Sequence, residues 1–411
     1  MPPIAPYRNY FLLAAIILAS ALLQPTAFFR HAARLFQIKS HLAPAPAYYA
    51  NRSITTMAYE KELELALLAV QRASILTKSV YTSHSKGTLH KSDASPVTIG
   101  DFGAQALIIA SIKSAFPDDE VVGEEDADDL RANPELKTLV WDLVQAAKLK
   151  DEKAEARIGG PIKSAEDMLT ALDGGASQGG NKGRIWALDP IDGTKGFLRG
   201  GQYAVCLALM VDGVPTVGVI GCPNLPVDDK APLDAKIGEN ADAEEGKGVL
   251  FGAVKGQGAT SRALTDGELA EEKKIEMAPL PDVSQATFCE SVEAGHSSHG
   301  DQADIAKKLG ITKESVRMDS QAKYCSIARG AGDLYLRLPT SKTYQEKIWD
   351  HAAGVVLVQE AGGEVTDAWG KPLNFGVGRT LKENKGIIAA PKAVHGKVIE
   401  VVKEVLGAKK D

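Results

Sequence analysis

Two aspartates at the end of an apolar run, Asp189 and Asp192, point most directly to chemistry in this sequence. They lie in WALDPIDGTKGFLRG, residues 186–200. Gly193 permits backbone angles that other residues avoid, and a helix beginning near Thr194 would present free N–H groups to an anion. Carboxylates repel phosphate, so two aspartates beside a phosphate cradle indicate divalent cations between them. Mg²⁺ accepts carboxylate and phosphate oxygens alike.

The hexapeptide DPIDGT alone leaves two interpretations open. It is also typical of a strand-to-helix turn in which the acids cap the helix. Three further acidic segments favour the metal-site interpretation: VTIGD, which ends at Asp101; VVGEED, which contains Glu124 and Glu125; and IWDHAAG, which contains Asp350. Asp192 and Asp350 are 158 residues apart (350 − 192). The site therefore forms only if both halves of the chain fold together.

These four segments, in this order, resemble the lithium-sensitive, magnesium-dependent phosphomonoesterase superfamily. That superfamily includes inositol monophosphatase, fructose-1,6-bisphosphatase and the 3'(2'),5'-bisphosphate nucleotidases. The segments GHSSH, MDSQAKYCSIARGAGDLYLRLP and YQEKIWDHAAG are similar to the fungal and plant nucleotidase branch. The resemblance covers the chain from about Met57 to the C-terminus, and residues 128–183 are not matched.

The resemblance implies a role for each acid. The implied metal ligands are Glu124, Asp189, Asp192 and Asp350 with the backbone carbonyl of Ile191, and the implied catalytic residues are Asp101, Thr194 and Glu124. Asp101 would accept a proton or hold a further activating Mg²⁺, and Thr194 would orient the attacking water. Two or three Mg²⁺ ions per site are expected.

This assignment implies hydrolysis by an activated water molecule. Two metals roughly 4 Å apart would lower the pKa of that water and neutralise the leaving oxygen of an in-line displacement. No covalent phosphoenzyme is needed. An aspartyl-phosphate phosphatase of the haloacid dehalogenase type instead needs D-x-D-x-T, with the first aspartate as nucleophile. The D-x-x-D spacing of this chain disfavours that alternative, because the extra residue points the second carboxylate elsewhere.

Substrate contacts are also implied by the nucleotidase branch. The implied contacts are Thr194, His296, Ser320, Lys323, Arg337 and Asp350. His296 could stack on adenine, and Lys323 and Arg337 could neutralise a second phosphate, with arginine as a bidentate donor. Other interpretations remain for each residue: HSSH as a surface loop or a chance metal pair, Lys323 as a solvated helix charge, and Arg337 as a strand-edge residue. Glu125 could support Glu124 or be exposed.

The implied activity is removal of the 3'-phosphate from 3'-phosphoadenosine 5'-phosphate to give AMP, extending to the sulfated nucleotide. Inhibition by Li⁺ and Na⁺ and a place in sulfate assimilation and salt tolerance belong to the same expectation. One alternative of the same class is an inositol polyphosphate 1-phosphatase or inositol monophosphatase, because these enzymes and the nucleotidases share the metal-binding half of the site. An alternative of a different class is a non-catalytic nucleotide-binding regulatory protein.

The elements that must position these residues can be predicted from periodicity and turn signals. Apolar residues recurring at three and four predict a helix over 59–81, and a second helix is expected from near Asp101. A short strand at 121–122 precedes Glu124, and RIWAL is a buried strand leading into Asp189. Residues 128–183 read as surface helix and loop. Two strands are expected about a turn at 212–213, and a helix over IWDHAAGVVLVQE ends before two glycines.

We therefore expect an α+β fold in two domains. The boundaries are an N-terminal extension at 1–57, a metal-binding α+β domain at 58–278, and a smaller α/β domain at 279–411 that completes the site and binds nucleotide. The resemblance implies a layered αβαβα sandwich of the inositol monophosphatase and fructose-1,6-bisphosphatase type. A monomer is expected, with no stable membrane span in the catalytic part.

Composition limits the classes of partner. The 411 residues are 44% hydrophobic and 24% charged, with a net charge of −6, which is ordinary for a globular protein. This charge gives no general attraction to nucleic acid or to an anionic membrane. An anionic substrate therefore needs bound cations or a local basic pocket. The four cysteines form no C-x-x-C pair, so buried, reduced thiols are expected rather than zinc or disulfides.

The first 57 residues differ from the rest of the chain. They contain no Asp or Glu, and the apolar run at 11–23 is shorter than the ~20 residues of a spanning helix. A signal peptide or anchor, an organellar presequence, and a start of translation at Met57 are the three interpretations. We favour an extension that is removed or dispensable, and either a cytoplasmic or a mitochondrial location.

Overall fold

The computed structural model describes residues 58–82, 88–90, 96–231, 246–293, 295, 297–341 and 343–408. Tyr59–Asp411 form one compact unit. The expectations for the N-terminal extension lie outside the described residues. Within the described residues, no helix is long and apolar enough to cross a membrane.

Eleven α-helices occur in the described part of the chain. They are α1 Glu60–Thr82, α2 Ile99–Ala115, α3 Asp128–Ala132, α4 Pro134–Ala146, α5 Glu152–Ile158, α6 Ala165–Asp173, α7 Thr194–Arg199, α8 His299–Leu309, α9 Ala322–Ala328, α10 Ala352–Glu360 and α11 Lys392–Gly407. The strands are β1 Thr88–His90, β2 Pro96–Thr98, β3 Glu120–Gly123, β4 Arg184–Asp192, β5 Ala204–Val211, β6 Val214–Pro226, β7 Lys247–Val254, β8 Gly258–Ala263, β9 Lys273–Ile275, β10 Phe288–Glu290, β11 Val316–Arg317, β12 Leu334–Arg337, β13 Gly363–Thr366 and β14 Ile387–Pro391.

A seven-stranded sheet, in the order β3-β4-β5-β6-β7-β8-β9, carries the first group of site residues. Strands β3 and β4 are parallel, with Gly123 opposite Leu188, whereas β4 to β9 form antiparallel neighbours. Because parallel strands end at the same edge of a sheet, the residues that follow them meet there. Glu124 and Asp189 are consequently neighbours.

A five-stranded sheet, in the order β11-β10-β12-β14-β13, forms the second half. Strand β10 is parallel to both β11 and β12, and β14 is antiparallel to β12 and β13. Strand β12 is therefore the central strand, and it ends at Arg337. The two-domain division at 278/279 remains a proposal, because the contacts place both sheets in one compact unit.

The two sheets alternate with three helical layers. Helices α1 and α2 cover one face of the seven-stranded sheet, α9 and α10 lie between the sheets, and α8 and α11 cover the outer face of the five-stranded sheet. Successive strand residues point to opposite faces, so Leu207 packs against α1 and α2 while Cys206 packs against the central helices. The predicted αβαβα sandwich is confirmed.

Several local predictions are confirmed with shifted boundaries. The hairpin of β5 and β6 turns at Asp212 (φ 50°) and Gly213 (φ 77°), two left-handed positions as a tight hairpin needs. The helix expected near Asp101 begins at Ile99, with Thr98 as its N-cap. All four cysteines are free and buried.

Two predictions need correction. The helix expected over the whole of IWDHAAGVVLVQE begins only at Ala352, which leaves Asp350 in the preceding turn. The segment 128–183 is more than surface helix and loop, because α3, α4 and α6 bury apolar side chains such as Leu130, Val140 and Met168 against α2. Their small apolar faces are diluted by charged residues, which conceals the periodicity.

Candidate active site

Most of the predicted site residues line one cavity of about 590 Å³. Those that line it are Glu124, Asp189, Ile191, Asp192, Thr194, Ser320, Lys323, Arg337 and Asp350. Glu124 follows β3, and Asp189, Ile191 and Asp192 lie at the end of β4. Thr194 begins α7, Ser320 precedes α9 and Lys323 lies within it. Arg337 ends β12 and Asp350 precedes α10. His296 lies outside the described residues. Asp101 is not among the described residues that line the cavity.

A β-bulge in β4 explains how two aspartates three residues apart share one cavity. In a regular strand, residues three apart point to opposite faces. Here Asp189 pairs with Cys206 while Asp192 pairs with Ala204, so β4 contains one more residue than β5 between these two pairs. The extra residue reverses the side on which Asp192 emerges. Both carboxylates can then face the cavity.

Gly193 links the bulge to helix α7 through a left-handed conformation, with φ 84° and ψ 40°. A Cβ atom at this position would lie 3.0 Å from the Cβ of Ser320 and 3.1 Å from its backbone nitrogen. Glycine is therefore required both by the backbone angle and by the close approach of the second half of the chain. The Thr194 hydroxyl that follows donates to the Ile191 carbonyl at 3.1 Å.

The carboxylates form a cluster with an excess of negative charge, in which Asp189 is buried and Glu124, Asp192 and Asp350 are half-buried. Burial and the charges of Glu124, Asp192 and Asp350 raise the pKa of Asp189 well above its ordinary value. Burial raises the pKa of Asp192 to about 6 and that of Asp350 to about 7. The Oδ1 atom of Asp189 finds no hydrogen-bond partner among the described residues. A buried, unpartnered carboxylate oxygen among other acids fits a divalent cation.

Asp101 lies at the first turn of α2, beside this cluster. Its Oδ2 atom accepts hydrogen bonds from the backbone nitrogen of Thr98 at 2.8 Å and from the Thr98 hydroxyl at 2.7 Å. This capping box fixes the carboxylate, which is almost fully buried. Its charge contributes to raising the pKa of Asp189, so the two carboxylates are close enough to interact.

The backbone around Glu124 is held by a glutamine of α2. Glu125 is buried, which excludes the exposed alternative for it. Its backbone N–H donates to Gln105 Oε1 at 3.0 Å, and Gln105 Nε2 donates to the Glu125 carbonyl at 2.7 Å. This pair of bonds fixes the chain directly after Glu124.

Lys323 is buried in α9, so it is no solvated helix charge. Its Nζ atom donates to the carbonyls of Met318 at 3.1 Å and Ser320 at 2.9 Å, and lies 5.3 Å from the ring centre of Tyr335. Burial lowers the pKa of Lys323, and the charge of Asp192 opposes this shift. Ser320 itself has φ 67°, a strained angle for a residue with a Cβ.

Arg337 ends the central strand β12, so it is no strand-edge residue. Its Nε lies 2.8 Å from Glu346 Oε2, and its Nη2 lies 3.5 Å from Asp350 Oδ2 and donates to the Tyr344 hydroxyl at 3.2 Å. Burial alone would raise the pKa of Glu346, but Arg337 and His351 lower it to about 2. Glu346, Asp350 and His351 are close enough to hold a metal, yet Arg337 already neutralises Glu346.

Further residues of the cavity were missed by the sequence analysis. Trp349, Lys347, Tyr344, Lys195, Gln321 and Arg379 also line it. Trp349 and Gln321 lie beside predicted residues, so adjacency in the sequence was an available signal. Arg379 carries no such signal, because it follows Asp350 by 29 residues (379 − 350) in an irregular segment.

Known proteins resemble this chain over most of its length. The sequence model described as "Inositol monophosphatase family" matches residues 51–406. A 3'(2'),5'-bisphosphate nucleotidase of Emericella nidulans is 61% identical over 350 residues, covering 85% of this chain and 99% of that protein. A protein of the same name from Schizosaccharomyces pombe is 51% identical over 354 residues, covering 85% and 97%.

Solved structures resemble the fold. The Thermotoga maritima IMPase has a TM-score of 0.51 at 19% identity, covering 84% of this chain and 98% of that one. The extragenic suppressor protein suhB of Bartonella henselae has a TM-score of 0.53 at 19% identity, covering 83% and 98%. These similarities confirm the predicted fold type and carry no further argument.

Proposed function

Because this chain belongs to the inositol monophosphatase family, we propose that it is a magnesium-dependent 3'(2'),5'-bisphosphate nucleotidase. It would hydrolyse 3'-phosphoadenosine 5'-phosphate to AMP and phosphate, and also act on the sulfated nucleotide. The observation that carries this proposal is one cavity in which a cluster of buried and half-buried carboxylates faces two buried cations, Lys323 and Arg337. Two relatives that are named 3'(2'),5'-bisphosphate nucleotidase support it.

The carboxylate side of the cavity would hold magnesium. The proposed ligands are Glu124, Asp189, Asp192 and Asp350 with the carbonyl of Ile191, and the unpartnered Oδ1 of Asp189 fits this role. Magnesium dependence is a property of the family, and two or three ions per site is part of the proposal. When bound, such ions lower the pKa of the attacking water and neutralise charge on the leaving oxygen.

The protein side chains would position the water and take its proton. The Thr194 hydroxyl, now 3.1 Å from the Ile191 carbonyl, would orient the water for attack on phosphorus. Asp101, held by Thr98, would accept the proton or hold a further activating Mg²⁺. As the water oxygen bonds to phosphorus, the bond between phosphorus and the 3'-oxygen would break, inorganic phosphate would leave, and the 3'-oxygen would take up a proton from solvent water to become the 3'-hydroxyl.

The cationic side of the cavity would hold the second phosphate. The chain has a net charge of −6, so a bisphosphate needs local positive charge. Lys323 and Arg337 supply it from α9 and the end of β12, and buried charge–charge contacts are screened less than exposed ones. Ser320, Thr194, Asp350 and, outside the described residues, His296 complete the proposed substrate contacts.

Three finer points belong to the same proposal. The enzyme would be inhibited by Li⁺ and Na⁺, would act as a monomer, and would serve sulfate assimilation. The acid-free residues 1–57 would direct it to an organelle, with the cytoplasm as the alternative location. Sequencing the N-terminus of the mature protein and comparing it with Met57 tests the targeting proposal.

The experiment that tests the activity is phosphate release by the full chain. Substrates are 3'-phosphoadenosine 5'-phosphate, inositol 1-phosphate, inositol 1,4-bisphosphate and fructose 1,6-bisphosphate, with Mg²⁺ and with or without Li⁺. We expect Li⁺-sensitive release from the nucleotide, lost in Asp192→Asn and retained in Asp142→Asn, a matched change at an exposed helix position.

Each other outcome has a defined consequence. Preference for an inositol phosphate would retain the metal site and discard the nucleotide contacts proposed for His296, Ser320, Lys323 and Arg337. Absence of release from every substrate would favour the regulatory, nucleotide-binding alternative.

A further inference from the structure

Arg379 reaches from the second half of the chain to the strand end that carries Glu124. Its Nη2 atom donates to the Gly123 carbonyl at 2.6 Å. Its Nη1 atom donates to the Ser177 carbonyl at 2.9 Å and, more weakly, to the Gly175 carbonyl at 3.5 Å. The guanidinium thus donates hydrogen bonds to three carbonyls, which belong to two segments of the first half of the chain.

The same guanidinium also stacks on an aromatic ring of the second half. Its carbon atom Cζ lies 4.8 Å from the ring centre of Trp349, and both residues line the cavity. A guanidinium above an indole ring is an attractive, orientation-dependent contact. Arg379 therefore joins the segment before Asp350 to the segment before Glu124.

The partners of Arg379 share one property. Gly123 directly precedes Glu124, and Trp349 directly precedes Asp350. Gln105 holds Glu125 from the other side, so the backbone of Glu124 is fixed at both neighbouring residues. Of these two clamps, Gln105 comes from the first half of the chain and Arg379 from the second.

We propose that Arg379 is a positioning residue of the metal site, which sets the placement of Glu124 relative to Asp350. Charge-assisted hydrogen bonds from the planar guanidinium group fix the direction of the contact as well as its length. A lysine ammonium group cannot reproduce this geometry. Groups that orient metal ligands change metal affinity or activity by 10–100-fold when they are removed. This inference rests on the proposed metal site.

Whether Mg²⁺ binding weakens or strengthens when Arg379 is removed distinguishes a positioning role from a purely electrostatic one. Arg379 carries a positive charge near Glu124, as the opposing effects on its pKa indicate: burial lowers that pKa and Glu124 raises it. If charge alone mattered, removal of the cation would strengthen binding of Mg²⁺ to the acids. If Arg379 positions the ligands, its removal weakens binding despite the loss of repulsion.

The test is calorimetric titration of the metal-free full chain with Mg²⁺. We expect Arg379→Ala to weaken Mg²⁺ binding at least about tenfold, and Arg379→Lys to weaken it by a smaller factor. At saturating Mg²⁺, kcat is expected to fall while KM stays close to the wild-type value. The matched control is Arg131→Ala, which removes a partly exposed arginine that pairs with Asp173 and should leave Mg²⁺ binding unchanged.

Mg²⁺ binding by a folded Arg379→Ala that is equal to or tighter than wild type overturns the inference, even if thermal stability falls. If circular dichroism shows that Arg379→Ala does not fold, Mg²⁺ binding by Arg379→Lys is measured instead. Binding by Arg379→Lys that is equal to or tighter than wild type then overturns the inference. Failure of the proposed function is distinguishable: it would appear as a wild type that binds no Mg²⁺. A wild type that binds Mg²⁺ but prefers another phosphate ester leaves the inference intact.

Discussion

Replacing Asp350 by asparagine should stabilise the metal-free protein and abolish much of its stabilisation by magnesium. Burial raises the pKa of Asp350 to about 7 from an ordinary value of 3.8. Asparagine resembles the protonated acid in shape and carries no charge. The variant therefore removes the cost of ionising this half-buried carboxyl, together with one of the proposed metal ligands.

The magnitude follows from proton linkage. Between pH 3.8 and about 7, the unfolded chain has released this proton while the folded chain retains it. Stability therefore falls as the pH rises through this window, because the folded state binds more protons. At about 1.36 kcal/mol for each pKa unit, the whole interval corresponds to about 4 kcal/mol. The metal-free variant should exceed wild type by about this amount at pH 8, and by little near pH 4.

Thermal unfolding in EDTA and in saturating Mg²⁺ provides the assay. A chain of this size should shift its Tm by roughly 1–2 °C for each kcal/mol, so we expect Asp350→Asn to unfold several degrees above wild type in EDTA at pH 8. In Mg²⁺ the order should reverse, because two ions, each present at about 100 times its Kd, would together stabilise wild type by about 5 kcal/mol, which exceeds the variant's advantage of about 4 kcal/mol. Asp142→Asn, at an exposed position, is the control.

Two results would refute this reasoning. The first is a metal-free Asp350→Asn protein that is less stable than wild type at pH 8, which would show that the carboxylate is stabilised without metal. The second is an unchanged Mg²⁺-induced rise in Tm, which would remove Asp350 from the proposed ligands.

Two further variants test the strand end and the water-orienting hydroxyl. Thr194→Val should lower kcat about 100-fold with little change in KM, because it removes a hydroxyl without much change in volume; Thr194→Ser should restore most of the activity. Gly193→Ala should lower the free energy of unfolding by about 1–2 kcal/mol or more, since its Cβ would approach Ser320 to 3.0 Å. Gly396→Ala in α11, where a Cβ meets nothing within 4 Å, should be neutral or slightly stabilising; equal Tm values for the two alanine variants would contradict the steric argument.

The ends of the two parallel strands could be predicted from the sequence because each follows a short apolar run. Val121 and Val122 precede Glu124, and RIWAL precedes Asp189. Those runs predict buried strands, and acids at their carboxyl ends predict a site. What periodicity does not give is which strands are neighbours. The register that pairs Gly123 with Leu188 depends on tertiary packing.

The geometry of DPIDGT was predicted less well than its chemistry. The sequence predicts a strand that ends at Asp189 and a turn that follows it. In the structure the strand continues to Asp192 through a bulge. A proline within a strand removes a ladder donor, and such residues are tolerated at bulges. The bulge depends on pairing with β5, which a local pattern does not encode.

Contacts between the two halves were the least predictable part of the site. Lys323 could not be distinguished from a solvated lysine, because its burial depends on the packing of α9 between the two sheets. Arg379 gave no local signal, because its partners are Gly123, Gly175 and Ser177, about 200 or more residues away in the chain. Long side chains in irregular segments reach partners that only the folded chain brings near.

Gln321 shows why neither half can form this site alone. Its backbone N–H donates to Asp192 Oδ2 at 2.5 Å, its Nε2 donates to the Trp349 carbonyl at 2.8 Å, and its Oε1 accepts from the Gly354 backbone at 2.9 Å. One buried residue, through its backbone N–H and its side chain, therefore ties the bulged strand of the first half to the turn that carries Asp350. Because the bonds made by Gln321 and Arg379 exist only in the assembled molecule, binding of metal there would stabilise both sheets and the helices between them as one cooperative unit.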